Sequence, residues 1–157
     1  MSRDRKPIQP QHSLNIEEFE IPLRDGYRTT LQIYRQTSRR DALPLFVYIH
    51  GGGFVTGSQE TDDATCRAIA EQVPIIIVNV EYRLAPENKF PVGFEDCFDV
   101  VRWVASVGGQ ERLNSDLKRE VSSWEGPRPG ELHRWDIPPC ASGRPFAQVD
   151  RLSLPCK

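Results

Sequence analysis

The sequence predicts an α/β fold: an antiparallel N-terminal hairpin leads into a βαβα run on a mostly parallel sheet, and a non-globular C-terminal tail follows. Three observations predict it. Residues 45–49 (LFVYI) and 75–80 (IIIVNV) are short apolar runs rich in branched side chains, the pattern of parallel strands covered on both faces. Each is followed by a segment with apolar residues at helical spacing, and strand, helix, strand, helix implies a βαβ crossover. Near Arg119 the composition changes abruptly.

In chain order, residues 1–13 are polar with two prolines and hold no apolar core that could serve as a signal peptide, so they read as a disordered N-terminus on a cytoplasmic protein. Residues 14–119 read as the folded part. Residues 16–23 alternate crudely, Asp25-Gly26 supplies a turn, and residues 29–35 place Thr29, Leu31 and Ile33 on one face and Thr30, Gln32 and Tyr34 on the other. The two apolar runs are preceded by Pro44 and Pro74. Between them, residues 61–73 carry Ala64, Ala68, Ile69 and Val73 at helical spacing behind Asp62 and Asp63, which suit a helix N-terminus. Residues 92–107 repeat the device, with Phe94, Cys97, Phe98, Val101, Val104 and Ala105 on one stripe and Trp103 in the core.

Composition excludes several function classes. A net charge of −2 leaves no basic field for nucleic acid, and no apolar run approaches the eighteen or so residues of a membrane span. Cys66, Cys97, Cys140 and Cys156 form no C-x-x-C pair, which argues against zinc and, without a secretion signal, against a disulfide framework.

The tail, residues 120–157, is different text. It holds six of the 13 prolines, and only seven of its 38 residues are Ile, Leu, Val or Phe. That lies under the roughly 20% below which a segment struggles to offset its ordering entropy. No period of 2 or 3.6 persists there, so it reads as non-globular.

Chemistry is expected at His50-Gly51-Gly52-Gly53-Phe54, a glycine run directly after the first apolar strand, where α/β sheets bind ligands. A phosphate-loop reading fails because Ser58, not lysine, follows Gly57. A dinucleotide fingerprint fails because Thr56 stands where glycine or alanine is needed. An oxyanion hole or a plain turn remains. The second run then closes with Glu81-Tyr82-Arg83-Leu84-Ala85-Pro86-Glu87, and Phe90-Pro91 opens the next helix.

At this spacing HGGGF and EYRLAPE resemble the α/β-hydrolase fold-3 family, the hormone-sensitive-lipase type of carboxylesterases and lipases, over roughly residues 16–119. The resemblance implies an incomplete α/β-hydrolase fold and a serine ester hydrolase that needs no metal or cofactor and acts on a small-molecule ester. It implies that the N–H groups of Gly52 and Gly53 donate to the tetrahedral oxyanion, the third donor coming from the residue after the nucleophile. His50 and Gly51 then organise the loop, while Glu81, Arg83 and Glu87 make polar contacts beneath it. Asp96 and Asp99 cap or solvate their helix, and His12 and His133 are solvated.

The family's Ser, Asp, His triad is not identifiable. No serine has glycine at both −2 and +2: Ser142 lies between Cys140 and Arg144, and Ser58 follows Thr56. The elbow is due shortly after residues 113–119, where the composition changes. Joining the third base of each codon to the first two of the next, residues 120–131 permit G-F-I-V-G-G-A-S-A-G-G, an apolar strand and a serine elbow, with glycine forced across Trp124-Glu125. The expectation is therefore a chain native to about Arg119 and out of frame afterwards, catalytically inactive. Losing the nucleophile strand should leave residues 45–49 with an unpaired apolar edge and make the fragment aggregate. The rival expectation is a non-catalytic module that keeps the glycine loop to bind a small ligand or to regulate. Its mark would be a tail that covers that edge.

Overall fold

A computed structural model describes residues 11–116 and 121–124. The chain forms β1 (Leu14–Pro22), β2 (Arg28–Gln36), β3 (Leu45–Ile49), α1 (Gln59–Gln72), β4 (Ile76–Val80), α2 (Val92–Ala105), α3 (Val107–Leu113) and β5 (Val121–Trp124). The strands make one sheet in the order β1-β2-β4-β3-β5. The hairpin turns at Gly26, whose φ of 84° a side chain would resist, and β2 continues antiparallel onto β4. β3 pairs parallel with β4 through the α1 crossover, so the expected βαβ unit is present and the hairpin makes the sheet mixed.

The branched residues of β3 and β4 are buried because the sheet is covered on both faces. Leu31, Ile33, Leu45, Val47, Ile49, Ile76, Val78 and Val80 pack with α2 and α3 on one side. Tyr34, Tyr48 and Ile77 pack with Cys66 and Ala70 of α1 on the other. The alternation read in β2 is kept, with Leu31 and Ile33 on one face and Tyr34 on the other.

Two helix faces differ from their sequence reading. In α1 the buried residues are Gln59, Cys66 and Ala70, while Ala64 and Ala68 point outward and Val73 is 42% exposed. Methyl groups fit either side of a helix, and the polar pairing of Gln59 with the sheet turns α1. In α2 the buried set is Gly93, Asp96, Cys97, Val100, Val101 and Val104, whereas Phe94 and Phe98 are only partly buried. Phe98 lies under the Arg24 and Arg102 guanidinium groups, at 5.7 and 6.0 Å, rather than in the core. Trp103 is partly buried, tilted against Phe19 of β1 at 5.7 Å.

The second helix also stops earlier than its stripe suggests. Ser106 is extended (φ −72°, ψ 159°), and its Oγ accepts the Gly109 N–H at 3.1 Å, starting α3 with a new cap. Asn114 ends α3 in the left-handed region, and the Asp116 N–H donates to the Leu43 carbonyl at 2.9 Å, aiming the chain along β3.

The unpaired edge expected on β3 is not there: Val121–Trp124 pairs with it in parallel, Leu45 opposite Val121 and Tyr48 opposite Trp124. A parallel ladder is made of backbone N–H and C=O groups, so an apolar edge accepts a short extended segment of unpromising composition. β5 thus lies inside the segment read as non-globular. The rest of that segment, with His133, Cys140, Ser142 and Cys156, lies outside the described residues, as do residues 1–10.

Candidate functional site

The glycine loop leaves the C-terminal end of β3 at His50 and enters α1 at Gln59. Its backbone is left-handed at Gly52 (φ 124°), Gly53 (φ 62°), Phe54 (φ 60°) and Gly57 (φ 101°). At Gly52 a Cβ would strike the carbonyl of Thr56, and at Gly57 it would strike the ring of His50 and the carbonyl of Gly51, so glycine is sterically required at both. The Gly52 carbonyl accepts the N–H groups of Val55 (3.1 Å) and Thr56 (3.2 Å), closing a turn within the loop. Among the described residues the N–H groups of Gly52 and Gly53 donate to no backbone or side-chain acceptor, and both glycines are exposed. The arrangement presents two free donors to a group arriving at the end of the sheet.

His50 is 1% exposed. Its Nδ1 lies 3.0 Å from the Gly51 carbonyl oxygen, and since a carbonyl only accepts, Nδ1 carries the proton. Nε2 is buried without a partner among the described residues. The ring stacks on Tyr82, with centroids 4.2 Å apart and planes 13° from parallel. His50 and Gly51 therefore stand in one hydrogen-bonded corner immediately before the free donors.

The segment after β4 frames the loop from below. The Tyr82 hydroxyl donates to the His50 carbonyl at 2.7 Å, and the Ala85 N–H donates to the Phe54 carbonyl at 2.8 Å. Glu81 accepts the Gln59 N–H at 2.9 Å, placing a carboxylate at the positive end of α1, where Ser58 also caps Thr61. Gln59 in turn donates to the carbonyls of Thr30 (3.0 Å) and Asn79 (2.6 Å), locking α1 onto the sheet. Spacing along the chain does not single out Tyr82 or Gly57 for these tasks, whereas Glu81 makes a polar contact beneath the loop, as the resemblance implied. The trace of Tyr82 in the sequence is its place within EYRLAPE.

Arg83 anchors this segment to α2. The buried Asp96 carboxylate accepts from the Arg83 backbone N–H (3.0 Å), Nε (2.9 Å) and Nη2 (2.6 Å), and Asp25 accepts from Nη2 at 2.6 Å. The two carboxylates, Asp96 foremost, hold the guanidinium pKa above its ordinary value. Asp96 thus neither caps α2 nor meets solvent, because the Arg83 donors claim both its oxygens. Asp99 bonds Arg24 through its backbone N–H and its guanidinium instead of capping. His12 is exposed, as expected, and Glu87 is exposed on the loop before α2. Among the described residues no group of three His, Cys, Asp or Glu side chains could hold a metal ion, and no helix is long and apolar enough to cross a membrane.

Residues 46–121 match the family described as alpha/beta hydrolase fold. Esterase LipI of Mycobacterium tuberculosis is 47% identical over 116 residues, covering 73% of this chain and 35% of the relative. The 3-O-acetylpapaveroxine carboxylesterase of Papaver somniferum is 32% identical over 116 residues, covering 69% of this chain and 36% of the relative. Among solved structures, the esterase of Pyrobaculum calidifontis superposes with a TM-score of 0.64 at 40% identity, over 71% of this chain and 35% of that one. The chain spans about a third of the length of the curated relatives it matches.

Proposed function

We propose, from the premise that residues 46–121 belong to the alpha/beta hydrolase fold family, that this chain carries the oxyanion-binding part of a serine carboxylic-ester hydrolase. The observation that carries the reading is that Gly52 and Gly53, exposed at the C-terminal end of β3, have N–H groups that donate to no acceptor among the described residues. In such a hydrolase a serine oxygen attacks the ester carbonyl, the carbonyl oxygen takes the negative charge, and fixed N–H donors stabilise it. Each such donor contributes about 3–4 kcal/mol to lowering the barrier. No metal or cofactor enters this chemistry, and the substrate class is a small-molecule ester.

The 157-residue sequence contains no G-x-S-x-G, so our reading is that this chain by itself hydrolyses nothing. The family match ends at residue 121, beside the compositional break at Arg119, which supports a reading frame lost there. Association in solution is also expected, because the outer edge of β5 pairs with no other strand among the described residues.

The test is the nucleotide sequence of gene and transcript across codons 113–132. If the alternative frame spells glycine-x-serine-x-glycine and stays open, the chain encoded in that frame should release p-nitrophenol from p-nitrophenyl acetate, and the 157-residue chain should not. A frame that stops at once overturns the reading. One observation favours the rival, a non-catalytic ligand-binding or regulatory module with a cytoplasmic role: Val121–Trp124 covers the edge of β3, as a tail belonging to such a module would. An ester or carboxylate titrated against this chain, with saturable binding lost in Gly53→Val, would support that reading.

A further inference from the structure

A trans peptide unit is planar, and its N–H points opposite its C=O, so fixing the oxygen fixes the direction of the N–H in the same unit. The Gly52 N–H belongs to the unit whose oxygen is on Gly51, and that oxygen is held by His50 Nδ1 at 3.0 Å. The Gly53 N–H belongs to the unit whose oxygen is on Gly52, and that oxygen is held by the N–H groups of Val55 and Thr56. The two donors are therefore aimed by separate devices. Gly53 is aimed by a turn within the loop. Gly52 is aimed by an imidazole, and an imidazole can rotate unless something stops it.

We infer that Tyr82 is the positioning residue that stops it, setting the Gly52 N–H through the His50 ring. Tyr82 is 3% exposed, its ring lies flat on His50 at 4.2 Å, and its hydroxyl holds the His50 carbonyl at 2.7 Å. One side chain thus fixes both the backbone on which the imidazole is mounted and the plane in which it lies. Phe54, just past the glycines, leans on the same Tyr82 ring at 5.4 Å and 59°. Gly57 leaves no room for a Cβ beside Nδ1, so its backbone also borders the imidazole. The inference rests on the reading of Gly52 as an oxyanion donor only for its catalytic meaning; the geometry of aim is independent of it.

The test uses the full 157-residue chain, labelled with ¹⁵N-glycine, at low micromolar concentration. Backbone order parameters are read at Gly51, Gly52 and Gly53 without substrate. In Tyr82→Leu, which loses ring and hydroxyl, Gly52 should fall from a rigid value of about 0.85 to below about 0.6, while Gly53 keeps its value. In Tyr82→Phe, which keeps the ring, the Gly51 N–H should loosen first, because it shares a unit with the His50 carbonyl. Tyr34→Phe is the control, since it deletes a fully buried hydroxyl bonded to Gln32 and Asp63 on the other face of the sheet. It should lower the melting temperature and leave all three glycines rigid. Should Tyr82→Leu not fold, Tyr82→Phe decides alone. The inference is overturned if Gly52 stays rigid in the folded Tyr82→Leu chain or Gly51 stays rigid in Tyr82→Phe. It is equally overturned if Gly52 and Gly53 loosen together, or if Tyr34→Phe loosens them too. Failure of the ester hydrolase reading would show in the p-nitrophenyl acetate assay and leave these spectra unchanged.

Discussion

Replacing Asp96 by asparagine should be among the most damaging single-atom changes available to this chain, while the same change at Asp25 should hardly register. Both carboxylates bond Arg83, yet the Asp96 side chain is 2% exposed and the Asp25 side chain 45%. Asp96 accepts three hydrogen bonds from Arg83, one of them from backbone, and an amide at that position turns an NH2 group toward donors. Breaking one side of a buried ion pair costs about 3–5 kcal/mol, and because Arg83 retains Asp25 and its stack on Tyr27 at 4.3 Å, the lower end, about 3 kcal/mol, applies. An exposed pair contributes under about 1 kcal/mol. Urea unfolding at low micromolar concentration, followed by tryptophan fluorescence, converts this into a midpoint lower by roughly 1.5 M for Asp96→Asn, at a slope near 2 kcal/mol/M. For Asp25→Asn the shift should be under roughly 0.5 M. Equal midpoints for the two variants would refute the argument that burial, rather than the number of bonded carboxylates, sets the worth of this network.

Single contacts carry the remaining predictions. Burial raises the Asp99 carboxyl, but the bonds from Arg24 outweigh it and leave Asp99 below its ordinary 3.8. Its contribution to stability is therefore complete above that value and disappears as the pH falls through the lower, folded-state one, so Asp99→Asn should flatten the acid limb of a stability profile and spare the neutral region. Burial, then Asp62 and Asp63, push the Cys66 thiol above its ordinary 9.0, so Cys66, with the buried Cys97, should resist a disulfide reagent at pH 8 until denaturant is added. Rapid labelling of either in the folded chain would contradict the packing of α1 or α2. Gly57→Ala should lower stability by about 1–3 kcal/mol and displace the His50 ring signals, because the methyl group needs the space of Nδ1. Val78→Ala, in a fully buried position at the centre of β4, should cost about 2 kcal/mol or more by calorimetry.

How much of this was legible in the sequence depends on whether a feature is carried by neighbours along the chain. β3 and β4 stood out because a strand covered on both faces needs apolar residues at every position, and LFVYI and IIIVNV supply them. The glycine loop was legible because backbone donors next to a strand end need glycine there. The facing of α1 was not legible, since Ala64 and Ala68 are as apolar as Ala70, and the deciding contacts run from Gln59 to Thr30 and Asn79. α3 was not read from the sequence because the single stripe of residues 92–107 gives no sign of the new cap at Ser106, and Gly109 is required by the closeness of the Trp103 carbonyl, a contact no period encodes. The Tyr82 contact to His50 joins residues 32 apart, and no local period encodes it. β5 was missed because the composition of a segment describes its side chains, while the edge of β3 selects for backbone.

The strand order β1-β2-β4-β3-β5 also has a history in time. β2 is finished at Gln36, yet its partner β4 is complete only at Val80, 44 residues later. At roughly 5–20 residues per second of synthesis, the hairpin waits about 2–9 seconds with Leu31, Ile33 and Tyr34 facing water instead of a sheet. In that interval the growing chain is an unfinished two-stranded ribbon with sticky faces. Its fate is set by how soon translation delivers the strand that belongs beside it.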